Sequence, residues 1–586
     1  MTILDQDETA PATIPVPKNG TRILEGAGSA FNFLGSATDN KGITRVEVSV
    51  NGGPVTSLPL TLSNGGRTAS YTLPLTLAAG RNRIEVQSFD GRGNASPKTT
   101  TDLTFVVLRP LTVNFHASNP ADSGTLSKPF PGTDPVLREV GKSYSVVATA
   151  KPGFIFDGWA GLGISGVAAE VPTLNFVFQE GQVITAKFIA NPFLAVAGEY
   201  NGLVEASGPT IRSNETDGAI KVTVTPQGGF SGSLRIDGST LPLSGVFDNS
   251  GVARFAPNRA TSAGIKRAGK PDLVVALNLD ITLPLSKKVT GTVSRLFRSN
   301  PVPVATSSLN ADLKFFDGKT VPTSVPDVYL ANKGLHTVVF AAQSTQPGLV
   351  AADYPQGDGI GQITVLKNGT VSLKGTLADG TPVTASAPVT ESLVWPLFAP
   401  LYAVGRAAPG GSILGEVTFN SALPNSDLSG ADIVWYRPYL SSVQYYPFGW
   451  PEGIEVDVLG AKYAVQPGVL TGLGGINTLV GNADLNFTDG LLAAPVSKFV
   501  NITAATNVAT TLPGSDKSYS LKFTPANGEF SGILPHSDGT KPTYKGIVIQ
   551  KGAQAGGYGY FLTTSPGPKL IDGTGQGGAA TLSKKP

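Results

Sequence analysis

The stretch from Ala352 to Val389, ADYPQGDGIGQITVLKNGTVSLKGTLADGTPVTASAPV, restricts this chain more than any other. Residues of one parity are apolar or glycine: Ile363 and Val365, then Val371, Leu373, Gly375 and Leu377, then Val383, Ala385, Ala387 and Val389. Successive side chains of a strand leave opposite faces, so a period of two marks a half-buried antiparallel strand. Lys367-Asn368-Gly369 and Ala378-Asp379-Gly380 interrupt the alternation with Asn-Gly and Asp-Gly, which accept the positive φ of tight hairpin turns. Three strands and two turns are expected here, a β-meander.

A chain of 586 residues exceeds what one core can organise, and roughly three to five domains are expected. The 71 Gly and 45 Pro sit beside 40% hydrophobic residues without a Gly-x-y period, which implies a folded, turn-rich chain and excludes collagen. With 44 basic and 42 acidic residues, no strong charge invites nucleic acid. The densest basic region, Lys266, Arg267, Lys270, Lys287, Lys288, Arg295 and Arg298, reads as a solvated loop face. The absence of Cys removes disulfides, thiolate metal sites, iron–sulfur clusters and cysteine nucleophiles together. The opening MTILDQDETAP lacks the basic stretch and apolar core of a signal peptide. The longest apolar run, Leu393 to Val404, is broken by Pro396 and Pro400 and is too short to span a bilayer.

Read in order, residues 1–8 are expected to be a disordered leader. Residues 9–107 show short strands: Val46, Val48 and Val50 alternate, then Tyr71, Leu73, Leu75 and Leu77, then Ile84 and Val86 before Asp90-Gly91. Gly80, Asn82, Ile84, Val86, Asp90, Gly93 and Asn94 match the closing G-x-N-x-I-x-V-x-x-x-D-x-x-G-N segment of bacterial immunoglobulin-like domains. That resemblance implies a β-sandwich. In residues 108–190, KPGFIFDGWAG and NFVFQEGQVITAKF resemble the InlB-type B-repeat, a small β-fold of bacterial surface proteins, with Trp159 as its expected packing centre.

Beyond Asn191 a hairpin text recurs. TPQGGFSGSL (225–234) and TPANGEFSGIL (524–534) are near copies, and KNGTVSLKGTL (367–377) is a looser third version. Repetition suggests duplicated β-modules, taken as 191–330, 331–505 and 506–586. The mid-strand Gly of F-S-G marks a bulge, a barrel corner or a close backbone approach, which favours curled, partly closed barrels. The text of 191–586 resembles a family found at the ends of large exported proteins of environmental bacteria, behind immunoglobulin-like and B-repeat domains. The resemblance implies an extracellular or cell-surface setting and supplies no activity. No helix longer than two turns is expected, so the fold class is all-β.

Chemistry is sparse. His116, His336 and His536 are too scattered to start a zinc site. No G-x-S-x-G elbow or phosphate loop is present. Asp353, Asp358, Asp379 and Glu391 are the candidate acids for a glycosidase-like pair, although Asp in a turn ordinarily bonds its own backbone. Asp39, Asn40, Asp90 and Asn94 lie in loops that could assemble a calcium site from mixed oxygens, without EF-hand spacing; calcium is the one cofactor considered. Trp435, Tyr436, Tyr439, Tyr445, Tyr446, Phe448 and Trp450 form an aromatic cluster suited to stacking on sugars if exposed, or to plugging a barrel end if buried.

The expectation is a non-catalytic bacterial surface or extracellular structural and adhesion protein. Its partners would be a glycan, another protein, or copies of itself joined through β-edges, with no nucleic acid and no membrane span. The alternative is a carbohydrate-binding or polysaccharide-active protein using the 435–450 aromatics.

Overall fold

Period-two patterning dominates the chain, and the computed structural model is correspondingly built of mainly antiparallel sheets, with parallel pairings of Arg22–Leu24 to Thr99–Val106 and of Leu108–Phe115 to Val183–Ala190. It describes all residues except 1–8, 128–135, 283–284, 298–302, 315, 317–333, 404–409, 442, 465–481, 504–507, 564–574 and 585–586. The expected leader and Arg298 therefore fall outside the described residues. Among the described residues the one α-helix is a single turn, Val167–Glu170. Two units, Met1–Asn191 and Pro192–Pro586, organise the chain.

The first unit opens with a two-sheet sandwich. One sheet orders Ala12–Val16, Ala30–Thr38, Thr68–Thr76 and Leu60–Ser63; the other orders Arg22–Leu24, Thr99–Val106, Gly80–Asp90, Ile43–Val50 and Thr56–Ser57. Phe33, Val46, Val48, Tyr71, Ile84 and Val86 meet between them, as their alternation requires. After Val107 the chain continues as Leu108–Phe115 into a smaller pair of sheets. Trp159 is buried there, its ring 5.4 Å from Phe156 and its Nε1 donating to the Val171 carbonyl at 3.0 Å. Ion pairs Arg22–Glu139 and Arg109–Glu25, both 2.7 Å, join the two parts of this unit.

The second unit holds three meanders, each closed by pairing its first strand with its last. The first has nine strands, from Gly198–Ala206 to Ala305–Leu313, with Tyr200 opposite Leu313. The second has eight, from Leu335–Ala342 to Trp450–Lys462, with His336 opposite Lys462. The third has eight, from Ala483–Asp489 to Gly577–Lys584, with Ala483 opposite Lys584. The expected boundary at 505/506 thus falls inside one sheet, between Val496–Thr503 and Val508–Leu512. Each meander is a barrel-like sheet with one unladdered seam, and side chains of the inward parity fill it. In the second, Val338, Phe340, Ile363, Val371, Leu373, Val383, Trp395 and Ile413 form that filling.

The 352–389 text folds as expected, into strands Asp358–Val365, Thr370–Thr376 and Pro382–Pro388. Its turns differ in detail from a two-residue hairpin. Only Gly369 (φ 76°) and Gly380 (φ 88°) take positive φ, while Asn368 and Asp379 instead accept bonds from the Thr370 and Thr381 amides. The mid-strand glycines of the three hairpin copies share one cause. A Cβ on Gly232, Gly375 or Gly532 would sit 2.1, 2.3 or 1.9 Å from the carbonyl oxygen of Lys221 or Ile360 on the neighbouring strand, or of Ser520 just before Lys522–Thr524. The copied hairpin supplies the second and third strands of the first two meanders but the fourth and fifth of the third.

Two small apolar clusters join the meanders. Leu203, Ala219, Phe398, Leu414, Val434 and Tyr436 join the first to the second. Val339, Ile360, Ala378, Ala461, Ile547, Ile549 and Tyr560 join the second to the third.

Candidate functional site

The seam of the second meander lies between Pro382–Pro388 and Val394–Leu401, which do not ladder with each other. A proline inside a strand places its missing donor on the unpaired side. Pro396 and Pro400 both sit in a strand fully paired with Gly411–Phe419, so their donorless sides face the seam. The seam must therefore be closed by side chains. At its mouth Asp379, just before the first of these strands, meets Tyr402, just after the second: the Tyr402 hydroxyl donates to Asp379 Oδ2 at 2.7 Å.

Arg437 completes this clamp. Its Nη1 pairs with Asp379, its Nη2 donates to the Tyr445 carbonyl at 2.8 Å, and its Nε donates to the Tyr446 carbonyl at 3.1 Å. Both charged side chains are almost wholly buried, at 6% and 0% exposure. The guanidinium lies 4.8 Å from the Tyr402 ring centre and 5.6 Å from that of Trp450, a cation–π arrangement. Trp435 Nε1 donates to the Tyr402 hydroxyl at 2.9 Å. Burial, with Asp379 beside it, pushes the Tyr402 hydroxyl well above the ordinary phenol range, so it stays protonated and can donate.

Four of the seven rings of the aromatic cluster are buried rather than open to a sugar. Trp435, Tyr436, Tyr446 and Trp450 are 2%, 0%, 5% and 1% exposed, with Trp435 and Trp450 edge to face at 4.8 Å. They are buried because Trp435 and Trp450 end adjacent strands at the barrel mouth, where an open end would otherwise be wet. Tyr445 is half-buried: its hydroxyl donates to the Thr563 carbonyl at 2.5 Å, and the Gly577 amide donates to the Tyr446 hydroxyl at 2.6 Å. Both bonds fasten the loop to the third meander. Tyr436 points the other way, donating to Asp217 Oδ2 at 2.8 Å beside Arg212. Tyr439 and Phe448 remain exposed.

The other candidates are dispersed. Asp353 accepts the Val350 amide in a turn, and Glu391 pairs with Lys287 at 2.9 Å. Asp358 makes no side-chain hydrogen bond or ion pair among the described residues, and burial pushes its carboxyl up to about 7. Asp39 Oδ2 accepts the Lys41 and Gly42 amides, and the Asn40 amide donates to Thr9 Oγ1 at 3.2 Å. Asp90 accepts the Arg92 and Asn94 amides and the Asn94 side chain. Desolvation pulls the Asp90 carboxyl upward, and the bonds from Asn94, Arg92 and Gly93 outweigh it, holding it below the usual range. Among the described residues no group of three or more His, Asp or Glu side chains could hold a metal. His116 follows Leu108–Phe115, His336 lies in Leu335–Ala342 and His536 sits in a loop after Glu529–Ile533; they are hydrogen-bonded to Ser118, Gly334 and Gly490 respectively. In the basic region, Arg267 and Lys270 pair with Asp237, Lys288 with Asp312 and Arg295 with Glu215.

Sequence reasoning missed Tyr402 and Arg437. The available signal was the shared parity of Ile433, Trp435 and Arg437, which carries an inward-facing strand into the aromatic stretch.

No helix among the described residues is long and apolar enough to cross a membrane. Among solved structures, the chain is similar to a chimeric titin Z1Z2 (14% identity, 41% of this chain and 97% of that one, TM-score 0.13). It is also similar to a DUF3598-family protein from Nostoc punctiforme (12%, 46% and 98%, 0.15). A third likeness is to SGBP-B of Bacteroides ovatus, solved with a mixed-linkage heptasaccharide (10%, 65% and 93%, 0.15). At such TM-scores these likenesses carry no argument. The comparison with curated proteins returned no match. Residues 12–86 match the family model of the bacterial Ig domain, and the chain accordingly begins with a bacterial immunoglobulin-like domain.

Proposed function

We propose that this chain is a non-catalytic structural and adhesion component of a bacterial cell surface or extracellular matrix. The observation that carries the reading is the Asp379–Arg437–Tyr402 clamp: one candidate acid, Asp379, and the rings around it hold a barrel closed instead of lining a cleft. The bacterial immunoglobulin-like domain supports the surface setting. Residues 108–190, read as a B-repeat, would serve with it as a spacer carrying the three-meander body.

Self-association through β-edges would use the first unit. Among the seam edges of the second unit, Ala253–Phe255, Ala263–Ile265 and Lys522–Thr524 are three residues long, Val508–Leu512 is five, and Val394–Leu401 carries Pro396 and Pro400. In the first unit the eight-residue Phe154–Gly161 ends its sheet and offers a longer proline-free edge. Two experiments test the proposal. Protease shaving of intact cells should release peptides of this chain, and purified chain should release no reducing sugar from polysaccharides. Protection from shaving, or hydrolysis lost in Asp358→Asn, would refute it.

A further inference from the structure

The clamp leaves two rings of the 435–450 stretch unused. Tyr439 and Phe448 are 62% and 76% exposed, with ring centres 6.1 Å apart and planes inclined at 47°. They stand together because the Leu440 amide donates to the Pro447 carbonyl at 2.8 Å, pairing the two arms of the loop. The root of each arm is fixed through Arg437, whose guanidinium holds the Tyr445 and Tyr446 carbonyls. Gly449, at φ 60°, closes the turn where a Cβ would meet the Arg437 and Pro438 carbonyls at 2.5 Å. The arms that carry Tyr439 and Phe448 are thus held together before any ligand arrives, and binding there forfeits little conformational entropy.

Two exposed rings on a rigid loop are a small apolar patch. A stable protein contact covers about 800 Å² per partner around fully buried anchors, which two rings beside Ser441 and Gln444 do not supply. A pyranose does fit such a patch. Its C–H face packs on an aromatic face while its hydroxyls stay hydrated or bond at the rim, where the Tyr439 hydroxyl can donate or accept. Rings inclined at 47° cannot both lie flat on one plane, so they suit a soluble, twisting chain rather than a crystalline surface.

We propose that Tyr439 and Phe448 form a stacking platform for a soluble neutral polysaccharide, with one sugar ring on each aromatic face. This adds a ligand to the scaffold reading without resting on it, since shaving reports where the chain is displayed and the following assay reports the rings. The full chain is run in native gels cast with hydroxyethylcellulose, galactomannan or polygalacturonate, and is mixed separately with crystalline cellulose. The expected result is retardation by a neutral soluble polymer, little by polygalacturonate, and no adsorption to crystalline cellulose. Tyr439→Ala and Phe448→Ala should each weaken binding about tenfold, with Tyr439→Phe retaining most of it and melting temperatures unchanged. An unretarded native chain, a double alanine variant retarded like the native chain, or adsorption to crystalline cellulose would overturn the proposal. So would a concentration-dependent dimer that the double variant abolishes, because the rings would then be a protein contact.

Discussion

Replacing Arg437 by Met removes the cation of the clamp while keeping much of its packing volume. Asp379, with no exposed side-chain surface, then keeps only the Tyr402 hydroxyl and its own turn, with Thr381 Nα and Oγ1 donating. Removing one partner of a buried ion pair costs about 3–5 kcal/mol, because the remaining charge stays desolvated. The Tyr445 and Tyr446 carbonyls also lose their donor, so the upper part of that range is expected. The assay is favourable because three of the four tryptophans, Trp395, Trp435 and Trp450, lie in the second meander, and only Trp159 lies elsewhere. Their fluorescence therefore follows this barrel. With a urea slope of about 2 kcal/mol per molar, the midpoint should fall by about 1.5–2.5 M. Asp379→Ala combined with Arg437→Met should cost clearly less than the sum of the single changes, because the uncompensated charge is gone. A midpoint moved by less than about 0.25 M in Arg437→Met, or additive costs in the cycle, would refute the clamp.

Three further outcomes follow from the same geometry. Asp358 is neutral in the folded chain up to about pH 7, while the unfolded carboxyl ionises near 4. The contribution of Asp358 to stability is therefore full below about pH 4 and is lost as pH rises through about 7; relative to the native chain, Asp358→Asn should stabilise by about 1–2 kcal/mol at pH 8, discounted for partial solvation, and not at pH 4. Thermal melts at the two pH values check this. Gly232→Ala and Gly532→Ala drive a methyl into a neighbouring carbonyl and should each cost about 1–3 kcal/mol or more in urea unfolding, whereas Gly264→Ala, with open space around it, should cost under about 1. Tyr436→Phe removes a donor from buried Asp217 and should cost about 1.5–3 kcal/mol; hydrogen exchange should rise in Gly198–Ala206 and Leu428–Arg437, which meet there.

Local features of this fold were legible and non-local ones were not. Alternation and turn chemistry place the strands of 358–388 because both signals act over a few residues. The mid-strand glycines announced close approach, and the structure supplies the partner carbonyls. Closure of each meander pairs residues far apart in the chain, such as Tyr200 with Leu313, and no local period encodes that choice. The same limit governs the aromatic stretch. Pro438, Pro447 and Pro451 mark a loop, but whether its rings face water depends on Tyr402 and Asp379, which arrive from other strands. The two rings that stay exposed have the same local composition as those that are buried.

First-to-last closure of the three meanders is the claim on which the rest depends, and a chain without cysteine permits a clean test. Cysteine pairs are placed at Glu205 and Ser308, at Ala341 and Asp457, and at Thr488 and Ala579, each pair facing across a first-to-last strand junction. Facing antiparallel residues lie about 4.5–5.5 Å apart at Cα, within disulfide range. Mild oxidation of the folded chain should form all three intramolecular cross-links, seen as faster migration on non-reducing gels. Pairs that stay reduced in the folded chain, or that link only between molecules, would contradict the closed-meander account.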